Sequence, residues 1–156
     1  MDVPAEDDPA DIAYWQRIGP ALTTSGELTP QDPERLGAIG VRRVINLALD
    51  TSPGALPDEA ARMAASGIDY VHIPVPFDAP GEDHFAAFSE AIEAAGDGAV
   101  HVHCIMNWRA SAFVYRWNRA NGMAEDEARA LMHQHWNPKT SDHADAPTWS
   151  KFIGDA

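Results

Sequence analysis

The run from Ala99 to Trp117, AVHVHCIMNWRASAFVYRW, constrains this chain more than any other stretch. Val100 and Val102 alternate with His101 and His103, the period-two pattern of a strand. The pattern ends at His103-Cys104, four residues follow, Arg109 arrives, and Phe113, Val114 and Trp117 then recur at helical spacing within a helix expected over Ser111 to Ala120. A strand feeding a helix through so short a loop belongs to an α/β fold, where ligands bind beyond the carboxyl ends of the strands. The loop must curl tightly, so several N–H groups converge with the positive end of the following helix. Such a nest holds an oxyanion.

The rest of the chain repeats the alternation. An extended segment is expected from Ile12 to Ile18, a polar turn at Thr23-Thr24-Ser25-Gly26, and a short helix after Thr29-Pro30 that carries Leu36 and Ile39 and stops at Gly40. Strand Arg43 to Leu47 follows, then a loop from Ala48 to Leu56 broken by Pro53 and Gly54, and a helix from Pro57 to Ser66. Strand Tyr70 to Val75 runs into the loop Pro76 to Gly81, and Phe85, Phe88 and Ile92 form the apolar stripe of a helix over 82–95. Helices are expected again over Glu125 to Trp136 and Thr148 to Ile153. A central, mostly parallel sheet flanked by helices on both faces follows from this order.

At 156 residues the chain suits one domain, expected over residues 12–156, with residues 1–11 an acidic, flexible lead-in. A formal charge of −13, with Lys139 and Lys151 the only lysines, disfavours nucleic acid and anionic membrane surfaces as partners. No apolar run reaches bilayer length and the N-terminus lacks the pattern of a secretory signal, so a cytoplasmic protein is expected. Cys104 is the only cysteine, which rules out an internal disulfide and makes reactivity the functional use open to it. A small buried hydrophobe is the ordinary alternative.

Arg109 and the helix end favour the thiolate of Cys104, and the planar guanidinium grips two oxygens of a tetrahedral anion in a way lysine cannot. Thiolate attack on phosphorus gives a cysteinyl-phosphate once the leaving oxygen gains a proton. Asp78, on the proline-flanked loop after the preceding strand, is the candidate acid; an Asx turn is its ordinary alternative. Asp83 is the fallback, with a first-turn helix role as its simpler explanation.

With these residues in view, the chain resembles the cysteine-dependent protein phosphatase superfamily. The likeness is carried by VHVHC, the arginine five positions on, YVHIPV, TTSGELT and VINL, and spans about Leu22 to Pro138. The most similar branch is the bacterial protein-tyrosine-phosphatase-like group, related to the phosphatase-like domain found beside β-lactamase-like hydrolases. The resemblance implies a dual-specificity-phosphatase-like fold and a phosphate-bearing substrate or other small oxyanion, with no cofactor and no metal. It also implies Cys104 as nucleophile, Arg109 as phosphate clamp, the backbone of Ile105, Met106, Asn107 and Trp108 as cradle, and His103 as the histidine that supports the thiolate.

The loop departs from the common pattern. Four residues separate Cys104 from Arg109 where tyrosine phosphatases have five; none is glycine, and Ala110 precedes Ser111, which falls where the family's hydroxyl would lie. Asn107 is the residue best suited to take the left-handed position of the missing glycine. Two alternatives keep the oxyanion loop: a phosphate-binding pseudophosphatase without turnover, and a rhodanese-like sulfurtransferase carrying a persulfide on Cys104.

Trp108 is either an aromatic wall for a substrate ring or a core residue, while Trp136 and Trp149 are expected to dock the C-terminal helices. Thr24, Ser25, Asn46, Asp50 and Thr51 are candidate rim residues. His133, His135 and His143, with Asp142 and Asp145, match no zinc spacing, since two helical residues apart diverge by about 200°.

Overall fold

The computed structural model describes residues 8–155. Strands β1 (Gln16–Gly19) and β2 (Leu22–Ser25) come first. Helix α1 (Asp32–Ala38) then leads to β3 (Val41–Asn46), α2 (Glu59–Ala65) to β4 (Asp69–His72), and α3 (Glu82–Ala94) to β5 (Ala99–His103). Helices α4 (Trp108–Ala120), α5 (Glu125–His133) and α6 (Ala146–Phe152) complete the order. The sheet runs β1-β2-β5-β3-β4, with every pair parallel except β1 with β2. The expected mostly parallel sheet with helices on both faces is therefore present, and β5 lies at its centre.

Alternation along β5 divides the interior. Val100 and Val102 pack with Ile45 against Phe88 of α3, Phe113 of α4, Met132 of α5 and Trp149 of α6. On the other face Val44 joins Leu36 of α1 and Met63 of α2. Fully burying side chains of this size contributes about 1.5–3 kcal/mol each, so helices with such stripes are fixed by the sheet more than by their own propensity.

Several boundaries differ from the sequence expectation. Thr23, Thr24 and Ser25, expected as a turn, are buried strand residues of β2. Their hydroxyls, which favour turns when unpartnered, find buried partners in His101 and Asn107. The first strand begins only at Gln16, after Tyr14 turns the chain with φ 55°. Strand β4 ends at His72 because Pro74 has no N–H, although Ile73 and Val75 still donate to Asn46 and Leu47 carbonyls.

Of the expected lead-in, residues 1–7 lie outside the described residues. Asp8 pairs with Arg17 at 2.7 Å, and Asp11 pairs with Arg35. None of the helices among the described residues is long and apolar enough to cross a membrane.

Candidate active site

Cys104 leaves the carboxyl end of the central strand, flanked by Ser25 at the end of β2 and Asn46 at the end of β3. The loop it opens is held from outside. The Glu27 amide donates to the Ile105 carbonyl at 2.9 Å, and Gly26 makes that approach possible: a Cβ there would stand 2.4 Å from the same oxygen. Asn107 takes the left-handed conformation expected of it, φ 63° and ψ 18°, and starts α4 three residues earlier than the apolar pattern suggested. Its Nδ2 donates to the Tyr14 carbonyl and the Thr24 hydroxyl, each at 2.9 Å, and its Oδ1 accepts from Ser111 Oγ at 3.0 Å. Both ends of this buried amide are satisfied.

The result is a loop with spare donors. Among the described residues, the amides of Ile105, Met106, Asn107, Trp108, Arg109 and Ala110 have no protein acceptor; the next, Ser111, bonds back to Asn107. A run of unpartnered N–H groups at the start of a helix is an anion cradle. Arg109 is buried, and its Nη1 donates to the Val75 carbonyl at 3.0 Å, mooring the guanidinium to the segment after β4 and over the Phe77 ring, while its other N–H groups have no hydrogen-bond acceptor among the described residues. Cys104 is 1% exposed at the base of this arrangement.

Behind the loop lies a polar layer. His103 Nδ1 donates to the Cys104 carbonyl at 3.1 Å, and its Nε2 meets Glu59 Oε2 at 2.5 Å. A carbonyl can only accept, so Nδ1 is the donor there, and Nε2 closes a short hydrogen bond with the buried carboxyl. Asn46 Nδ2 donates to the same glutamate and to Tyr70, whose hydroxyl pKa burial raises to about 12. His101 completes the layer. Ser25 Oγ spends its proton on the Gly26 carbonyl at 3.1 Å, so it accepts from His101 Nε2, and Thr23 Oγ1 donates to His101 Nδ1, each at 2.8 Å. Complete burial, and then the neighbouring His103, hold the His101 pKa well below its ordinary value, which keeps the ring neutral.

A cavity of about 540 Å³ opens over the loop. Its floor is Cys104, Ile105, Met106, Trp108 and Arg109; one wall is Leu49, Thr51, Ser52 and Pro53; the other is Phe77, His143 and Asp145. Trp108 is half-buried: it lines the cavity and stacks on Trp136 with ring centroids 4.7 Å apart and planes within 4°. Thr51 reaches the cavity as a rim residue, whereas Thr24, Ser25 and Asn46 are buried beneath it and Asp50 stands exposed beside His72.

Asp78 is exposed and not part of the cavity wall, and Asp83 lies in the first turn of α3 beside Gly81. The reason is the neighbouring Phe77. Its carbonyl accepts from Trp149 Nε1 at 2.6 Å, and its ring sits among Trp108, Trp136, His143 and Trp149. The aromatic cluster takes Phe77 as the inward residue of this turn and leaves Asp78 to solvent. His143 and Asp145, raised in the sequence only as members of an improbable metal set, line the cavity instead; among the described residues no group of three or more His, Cys, Asp or Glu could hold a metal ion. Glu59 was not foreseen, although it lies four residues before Met63 on the buried face of α2, a position where a carboxylate signals an internal partner.

Residues 15–122 match the family of the β-lactamase hydrolase-like protein, phosphatase-like domain. Among curated proteins nothing matches. A DUF442 protein of Shewanella putrefaciens CN-32 is 30% identical, with 96% of each chain covered and a TM-score of 0.82. TpbA of Pseudomonas aeruginosa, solved as a cysteine-to-serine variant with phosphotyrosine, is 19% identical over 94% of this chain and 91% of its own, TM-score 0.69. Kinase associated phosphatase, solved with its catalytic-site cysteine replaced by serine, is 11% identical over 86% and 88% of the two chains, TM-score 0.67. These last two share the fold, the dual-specificity-phosphatase-like arrangement expected from the sequence.

Proposed function

Because the chain belongs to the family of phosphatase-like domains of β-lactamase-hydrolase-like proteins, we propose that it hydrolyses a phosphomonoester through a cysteinyl-phosphate intermediate. The observation that carries this reading is the run of unpartnered amides from Ile105 to Ala110, joined by the Arg109 guanidinium, around Cys104. Donors fixed in advance around a phosphoryl group stabilise charge as it develops, without reorganisation during the reaction.

The Cys104 thiolate attacks phosphorus; the S–P bond forms, the P–O ester bond breaks, and the departing oxygen takes a proton. Water then attacks the same phosphorus, the S–P bond breaks, and phosphate leaves with the thiolate restored. Arg109 and the amides of Ile105, Met106, Asn107 and Trp108 hold the equatorial oxygens through both steps, while Ser111, through Asn107, keeps the loop in shape. His103 fixes the Cys104 carbonyl from behind and acts through the loop's position. Leu49, Pro53, Phe77 and Trp108 give the cavity apolar sides, suited to an ester whose alcohol portion is itself apolar or ringed. A lone thiolate nucleophile also suits a reducing compartment, and we place the protein in the cytoplasm.

The test is hydrolysis of p-nitrophenyl phosphate in the presence of EDTA by the intact protein and by Cys104→Ser. Turnover by the first, none by the second, and vanadate or phosphate binding by both is the expected result. Anion binding without turnover in either protein would make it a pseudophosphatase. Thiocyanate formation from thiosulfate and cyanide, with no phosphate release from the ester, would make it a sulfurtransferase.

A further inference from the structure

We propose that Asp145, on the segment entering α6, is the group that exchanges the proton with the ester oxygen in this cavity. The inference rests on the phosphomonoesterase reading above and names its missing acid. Among the residues that wall the cavity with Cys104 and Arg109, Asp145 is the only carboxylate. Its side chain is also uncommitted: it precedes α6 without forming a cap hydrogen bond, and it has no ion-pair partner among the described residues. Asp78, by contrast, is exposed on a turn whose neighbouring Phe77 is pinned by Trp149.

His143 holds Asp145 in place. The Asp145 amide donates to His143 Nδ1 at 3.0 Å, and the imidazole packs edge-on against Phe77 and Trp108, with centroids 4.9 and 5.9 Å away. An Nδ1 that accepts this amide proton is committed to the backbone, so His143 acts here by fixing the segment that carries Asp145. The titratable or charged groups sharing the cavity wall with the carboxyl are therefore Cys104, Arg109 and His143.

In the first step the Asp145 carboxyl gives its proton to the leaving oxygen as sulfur bonds to phosphorus and the P–O bond breaks. In the second, its carboxylate takes a proton from the attacking water, and the electron pair of the S–P bond returns to Cys104. The balance needs nothing beyond ester and water.

The experiment compares kcat/KM against pH for the intact protein, Asp145→Asn and Asp78→Asn, with p-nitrophenyl phosphate and with phenyl phosphate, the poorer leaving group. Asp145→Asn is expected to lose on the order of 10²-fold or more on phenyl phosphate, less on the nitrophenyl ester, and to lose the alkaline fall of the profile. Asp78→Asn should keep both rate and profile. Vanadate affinity of Asp145→Asn, unchanged within about twofold, shows that the fold and cradle persist. An active intact enzyme whose leaving-group dependence and alkaline limb respond to Asp78→Asn and not to Asp145→Asn overturns the assignment alone. An intact protein inactive on both esters overturns the phosphatase reading, and this assignment with it.

Discussion

The two faces of β5 are built on opposite principles. On one, Val100 and Val102 sink into aromatic and aliphatic side chains with no polar partner to satisfy. On the other, His101 and His103 are equally buried but every ring nitrogen meets a hydrogen-bonding group: Thr23, Ser25, Glu59 and the Cys104 carbonyl. Apolar contact is non-directional and tolerates small shifts, whereas a hydrogen bond weakens steeply with angle. The apolar face therefore supplies most of the stability, and the polar face fixes where β2, β3 and β5 end. That is what a loop hung from those ends requires.

The contrast can be broken most severely from the apolar side. Phe113→Ala removes a ring with no solvent exposure and should cost about 3–5 kcal/mol in urea unfolding, more than any single change on the polar face. Activity per folded molecule should change little. Gly26→Ala tests the converse: its Cβ would meet the Ile105 carbonyl at 2.4 Å, so the loop must move. A displacement near 1 Å costs about 10²-fold in turnover, and we expect a loss of that order with vanadate affinity falling in parallel. Full activity in this variant would mean that the loop is set from elsewhere.

Glu59→Gln keeps the shape of the buried acid but replaces the carboxyl group that meets His103 Nε2. A destabilisation of about 2 kcal/mol is expected, with kcat reduced and KM nearly unchanged, because the loop is tilted and not emptied. His101 gives the smallest effect and the one with a pH signature. Its folded pKa is lowered, so between that value and about 6.5 the unfolded chain binds a proton that the folded chain refuses. The stability due to the neutral ring is complete above about pH 6.5 and declines on acidification by up to about 1.4 kcal/mol per pH unit. Denaturant midpoints from pH 7.5 to 5 should show the slope, and His101→Gln should lessen it.

How much of this could be seen in the chain itself follows the same division. Periodicity marked β3, β5 and α3 nearly at their observed limits, because apolar stripes announce the face they bury. It could not mark β2, where Thr23-Thr24-Ser25 reads as a turn until histidine and asparagine partners far along the chain meet the hydroxyls. Cys104 and Arg109 stood out because their separation is local. Asp145 did not, since its place beside them depends on Trp149 and His143 folding the C-terminal segment back over Phe77. Asp78 drew attention for a local reason, a loop at the end of a strand, and local reasoning has no means of knowing which of two adjacent residues an aromatic cluster will take.

The Phe77 to Trp149 bond also divides labour along the chain. The unpartnered amides lie within residues 105–110, but one wall of the cavity comes from the segment before α6, where His143 and Asp145 stand. Under the proposed reading, mutation in that segment alters the wall that faces the leaving alcohol, while the amides beside Cys104 and the Arg109 guanidinium keep their places. The open amides and this wall are set by segments far apart in the sequence, so the wall can be remodelled around Asp145 while the loop at Cys104 keeps its own contacts.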